Sequence, residues 1–185
     1  MRNAMARRFL WSRQAGPVRP RGKLRAVPVL ALVAATVVLA LIAAGCTFQA
    51  QTEYGLARGV NQIRRDAGLP VLTVDPALSA VARGRAEDMA TNNYFSHSPP
   101  DGCPVRCLIE RADITPGWTG EVMAWNTASI AQTVDMTVNM WSNSAEHYSV
   151  ITDACFERMG TGVAFTPGGT TYLVTVFEGY VPGCR

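Results

Sequence analysis

Histidine is scarce in this chain. Its 185 residues hold two, His97 in "NYFSHSPPDG" and His147 in "WSNSAEHYSV". Fifty residues apart, the two cannot form an HExxH zinc helix, and the five cysteines lack the paired spacing of a structural zinc module. Acidic residues are absent from the first 27 positions, which carry eight basic ones (Arg2, Arg7, Arg8, Arg13, Arg19, Arg21, Lys23, Arg25). Charge of either sign is absent from Val27 to Gly45. The whole chain has net charge +3, but from residue 46 onward nine basic side chains face fourteen acidic ones, a net −5. The basic character thus belongs to the leader. No basic patch points to nucleic acid, and no nucleic-acid partner is expected. Internal repeats and a second linker are also absent, so one domain is expected.

A basic stretch, an apolar run and small residues before a cleavage point form the layout of a secretory signal. The run from Val27 to Gly45 is also long enough to span a bilayer. The chain is therefore divided into a signal peptide or membrane anchor (1–45), a short tether (46–52) and a folded domain (53–185). The small residues end in "AAGC", which resembles a bacterial lipobox with Ala43 where leucine is usual, so Cys46 is a candidate lipidation site. Either route places the protein outside the cytoplasm of a bacterium, secreted or attached to the membrane through Cys46 or residues 27–45. With Cys46 set aside, Cys103, Cys107, Cys155 and Cys184 form an even set, which in an exported chain reads as disulfides. Three pairings are open; the local pair Cys103–Cys107 with Cys155–Cys184 is favoured.

Periodicity outlines the domain. Leu56, Val60, Ile63 and Ala67 are spaced as one helical face, with Arg58, Arg64, Arg65 and Asp66 off it; Gly68 and Pro70 end the helix. Asp75 and Pro76 suit an N-cap and first helical position, opening a second helix with Leu78, Val81, Ala82 and Met89 inward. Residues 103–119 read as irregular, and "GEVMAWN" as a short extended piece. Ile130, Val134, Val138 and Trp141 predict a third helix. Alternating apolar residues around a Pro-Gly-Gly turn (Val163, Phe165, Leu173 or Tyr172, Val174, Phe177) predict two antiparallel strands. The fold class is α+β, with three or more helices packed on a small, mostly antiparallel sheet.

Glu121, between Trp118, Met123 and Trp125, lies in an apolar neighbourhood, and Glu146 adjoins His147. Two imidazoles and a carboxylate suit a divalent metal such as Zn²⁺ or acid–base work; two ordinary hydrogen-bonding histidines are the plainer alternative. Ser98 beside His97 has no third group to complete a nucleophile. Ser144 suits a cap. Trp118, Trp125 and Trp141 suit core and cleft wall, and Met89, Met123, Met136 and Met140 suit core filling.

The ordered set Leu78, Ala86, Met89-Ala90, "YFSH" ending at His97, Asp101-Gly102, Gly120-Glu121, Trp141-x2-Ser144-x2-His147, Met159-Gly160-Thr161-Gly162 and Tyr172 with Phe177 resembles the bacterial branch of the CAP superfamily. These are the cysteine-rich secretory, antigen-type and pathogenesis-related proteins, whose domain is also called SCP-like. The resemblance implies an α-β-α sandwich over residues 53–185. It also implies a cleft lined by His97, Glu121, Ser144 and His147, in which His97, His147 and Glu121 hold Zn²⁺ or another divalent ion in some members. This chain departs from the pattern at Ser144, where many members have a second glutamate, at Val122 in place of asparagine, and at Ala145-Glu146 in place of Pro-Gly. Two functions are implied: an extracytoplasmic module binding a lipid, envelope or protein ligand, or a metal-dependent hydrolase acting on peptide or cell-envelope substrates. Catalytic residues are not assigned.

Overall fold

The computed structural model describes residues 29–184; within 29–46, side chains are described only at positions 33, 34 and 36–38. The basic leader and the Cys46 side chain, with the lipid attachment expected there, lie outside the described residues. Among those residues no helix is long and apolar enough to cross a membrane. The chain divides into two compact units, Met1–Leu39 and Ala40–Arg185. In the first, the described residues are helical; the second is the folded domain.

Five helices and four strands occur among the described residues: α1 Val29–Asp66, β1 Thr73–Val74, α2 Pro76–Asn92, α3 Val105–Arg111, β2 Trp118–Asn126, α4 Ile130–Asn143, α5 Ala145–Ile151, β3 Arg158–Phe165 and β4 Thr171–Gly179. The sheet order is β1-β3-β4-β2. β1 runs parallel to β3; the other pairs are antiparallel, so the expected α+β class is observed. Strand alternation sends successive residues to opposite faces. Val122, Ala124, Met159, Val163, Leu173 and Phe177 meet α1, Trp141 of α4 and Ile151 of α5 on one face. Met123, Ala164, Val174 and Val176 meet α2 and Ile109 of α3 on the other.

Local signals account for the helix ends. The Asp75 carboxylate accepts hydrogen bonds from the amides of Ala77 and Leu78, with Pro76 at the first turn. Gly68 takes a left-handed φ of +74°, which an L side chain would resist, and closes the first helix. The glycines of the "MGTG" stretch have a different cause. A Cβ at Gly160 would lie 2.0 Å from the Leu78 carbonyl carbon, and one at Gly162 2.1 Å from the Arg83 amide nitrogen. The missing side chains let α2 lie directly on β3.

Both favoured disulfides are formed, Cys103–Cys107 and Cys155–Cys184. Five expectations need correction. Residues 46–52 are helix rather than tether: Thr52 is buried and the Gln49 amide donates to the Val163 carbonyl. Residues 105–111 form α3, too short for apolar periodicity to announce. The buried face of α4 is Thr133, Thr137 and Trp141 rather than Ile130, which is exposed; Asn126 on β2 supplies hydrogen-bond partners for both threonines. Met136 and Met140 are exposed, not core; Trp118 and Trp125 are exposed as well, so of the three tryptophans expected in core or cleft wall Trp141 is the one in the core. Arg64, expected off the apolar face, is buried.

Candidate functional site

β2 is an edge strand, and its alternation turns Glu121 to the face covered by α2. The Glu121 side chain is 3% exposed, and both of its oxygens are engaged. Oε1 lies 3.3 Å from Arg85 Nε. Oε2 lies 2.7 Å from His97 Nδ1. A carboxylate acceptor requires the proton on Nδ1, which leaves Nε2 as the remaining hydrogen-bonding nitrogen of the ring. The His97 side chain is 63% exposed.

Arg85 is the residue that sequence reasoning missed. It is buried on α2 in the stripe Leu78, Ala82, Arg85, Met89. Its Nη1 donates to the Tyr94 hydroxyl and its Nη2 to the Ser96 carbonyl, while the Tyr94 hydroxyl donates to Asp88. Burial and the bond to Asp88 push the Tyr94 phenol up to about 12. One guanidinium thus fastens the loop carrying His97 to α2 and to β2. A charged residue at a core position of a helical repeat was the available signal, since burial of such a charge requires a partner.

His147 has a different setting. Ser144 caps the end of α4 and the start of α5, and its Oγ is hydrogen-bonded to His147 Nδ1 at 2.7 Å. The His147 ring stacks on Trp141 at 6.4 Å between centroids, and the Trp141 Nε1 donates to the Met123 carbonyl. The Trp-x2-Ser-x2-His spacing is therefore a helix–helix corner with a core tryptophan. Glu146 is exposed. α5 flanks the Gly120–Glu121 step, because a Cβ on Gly120 would meet Val150 Cγ1 at 3.3 Å. No hydrogen bond joins His147 to His97 or Glu121 among the described residues.

The expected metal set of His97, Glu121 and His147 does not fit this arrangement. A ligating Glu121 would have to give up Arg85 or His97. Among the described residues, no three His, Cys, Asp or Glu side chains form a group able to hold a metal ion.

A groove of about 580 Å³ runs along α2 past Val81, Gly84 and Arg85, walled by Pro99, Pro100 and Leu108. Its lining takes in Arg85 but not His97 or Glu121, so Arg85 is the residue common to the groove and the carboxylate–imidazole pair.

Residues 57–177 match the sequence profile of CAP, the cysteine-rich secretory protein family, over more than half of the chain. The chain belongs to the CAP family. This CAP domain is 34% identical over 103 residues to the uncharacterized protein YkwD of Bacillus subtilis strain 168, covering 55% of this chain and 38% of YkwD. It thus spans well under half of that relative's length. Among solved structures it resembles an extracellular protein containing a SCP domain from Bacillus anthracis strain Ames (TM-score 0.61, 26% identity, 71% of this chain and 41% of that one). An outer surface protein from Borrelia burgdorferi shares the fold (TM-score 0.62, 21% identity, 70% of this chain and 93% of that one).

The His97 imidazole holds its proton more tightly than usual, because its hydrogen bond to Glu121 outweighs partial burial and the nearby Arg85 charge. With a folded pKa above the unfolded value, the stabilisation is fully present below about pH 6.5 and is lost as pH rises through the folded pKa. We expect NMR titration to place His97 above the value of an unperturbed imidazole, about 6.5, and Glu121→Gln to move it down.

Proposed function

We propose that this CAP domain is an extracytoplasmic binding module for an amphipathic ligand of the cell envelope. The apolar part of the ligand would lie in the α2 groove, and its anionic head would accept a hydrogen bond from Nε2–H of the protonated His97 ring, the form that Glu121 favours. The observation carrying this reading is the juxtaposition through Arg85: a groove that joins apolar walls (Val81, Pro99, Pro100, Leu108) to charged ones (Asp88, Asp101, Arg111) includes Arg85, whose guanidinium pairs with the carboxylate that orients a largely exposed imidazole. Export fits the leader, the two disulfides and the extracellular and outer-surface character of the solved relatives. Attachment at Cys46 or through residues 27–45 would keep the domain beside its ligand.

Octyl phosphate, water-soluble with an apolar tail and an acceptor head, is a suitable probe. Gly84→Phe fills the groove without strain, because Gly84 is exposed and an added Cβ meets nothing within 4 Å. Calorimetry should show binding to the wild type and a loss of about tenfold or more in both Gly84→Phe and His97→Ala, the equivalent of about 1.4 kcal/mol. Equal affinity in all three proteins would remove the proposal.

Hydrolysis has one observation in its favour, since a carboxylate-oriented imidazole is the arrangement of a general base. Chelator-resistant cleavage of an envelope peptide, abolished in His97→Ala, would make that the better reading.

A further inference from the structure

Glu121 has the surroundings of a carboxylate that already has its cation. One oxygen faces Arg85 Nε at 3.3 Å and the other His97 Nδ1 at 2.7 Å. The cation is not free to leave. The Arg85 side chain is 1% exposed, its remaining nitrogens are committed to the Tyr94 hydroxyl and the Ser96 carbonyl, and the guanidinium lies over the Tyr94 ring at 5.5 Å. Moving it aside would strand a buried charge and two acceptors. A divalent ion at Glu121 would add two positive charges beside a fixed guanidinium, in a setting where water screens them weakly. The second carboxylate near the guanidinium, Asp88, lies 3.8 Å from Arg85 Nη1 and accepts from the Tyr94 hydroxyl, so its contacts are on the side of Arg85 away from the Nε that faces Glu121; position 144 is a serine, which serves as a cap and holds His147 Nδ1.

We propose that Arg85 is a built-in counter-cation that takes the place of a divalent metal at Glu121, positioning the carboxylate and through it His97, so that the site works without a metal. The inference concerns the same residues as the binding reading but does not depend on it, because zinc and octyl phosphate are titrated separately.

The test is zinc chloride titration of the full chain at about pH 7.0 and about pH 8.0, two values that separate proton competition at the tightly protonated His97 from the effect of Arg85, read by calorimetry and by the NMR signals of the two histidine rings. The wild type should show no saturable shift of His97 up to millimolar zinc. Arg85→Met removes the charge while keeping an apolar stem of similar length. It should raise zinc affinity about 10–100-fold, the range over which groups next to a metal ligand act. Adding His97→Ala to Arg85→Met should abolish the gain. A structural defect loses function; it does not create a zinc site that depends on His97. Arg85→Gln, which retains a donor, is the second variant if Arg85→Met does not fold. Micromolar zinc binding by the wild type that disappears in His97→Ala would overturn the proposal. So would a folded Arg85 variant with unchanged zinc affinity.

Discussion

Arg64→Ala should lower the free energy of unfolding by about 4 kcal/mol, close to a thousandfold in the folding equilibrium. Arg64 is 1% exposed. Its Nε donates to the Pro70 carbonyl at 2.9 Å, and its Nη1 donates to the carbonyls of Ile151 and Asp153, both at 2.8 Å. Ile151 ends α5, so the guanidinium supplies donors to a helix terminus whose last carbonyls have no partner within the helix. It joins α1, the segment leading to β1, and α5. Truncation removes three charge-assisted hydrogen bonds and leaves the Ile151 carbonyl without this partner inside the core. Arg64→Lys should recover only part of the loss, because one ammonium cannot reproduce the planar fork. Urea unfolding of the disulfide-intact domain measures this as a lower midpoint at constant m. A change below about 1 kcal/mol, the worth of a single ordinary hydrogen bond, would show that α1 and α5 are held by apolar packing alone.

Glu178→Ala should cost about 3–5 kcal/mol, the range for breaking one side of a buried pair. Glu178 is fully buried on β4. It accepts from the Gly117 amide at 2.9 Å and from Arg158 Nε at 2.6 Å, while Arg158 Nη1 reaches Asp75, the N-cap of α2, at 2.6 Å. Removing the carboxylate costs Arg158 its closest contact on β4 and frees the entry to β2 at Gly117. Arg158 keeps some access to water, which favours the lower part of the range. Glu178→Gln retains an acceptor for Gly117 and should cost less than Glu178→Ala. Equal losses in the two variants would assign the effect to the charge on Arg158 rather than to the Gly117 amide bond.

Arg64 and Arg85 show how much of the site was legible. Both stand at helical spacing from core residues: Leu56, Val60 and Arg64 on α1, and Leu78, Ala82 and Arg85 on α2. Periodicity alone assigns each to a buried face. Polarity alone assigns each to solvent, which is the expectation that failed for Arg64. The partners decide between the two, and they come from far along the chain: Ile151 for Arg64 and Glu121 for Arg85. The polar face of α4 has the same cause, because Thr133 and Thr137 find Asn126 across the layer. His97 and Glu121 were legible as a pair through the order of motifs. The step from ligand set to dyad was not, since it depends on which groups occupy the two carboxylate oxygens.

By itself the sequence determined the N-cap at Asp75, the stop at Gly68, the helical course of α2 and α4, the β3–β4 hairpin and the CAP family, because caps, turns and periodicity are encoded within a few residues of where they act. It also determined an even set of domain cysteines. The tertiary structure alone decided which cysteines pair and which glycines are needed, since Gly160 and Gly162 matter only once α2 lies against β3. It decided as well that the Glu121 oxygens take Arg85 and His97 as their partners. Burying a charge takes a partner at hydrogen-bond distance, and separation along the chain does not reveal separation in space.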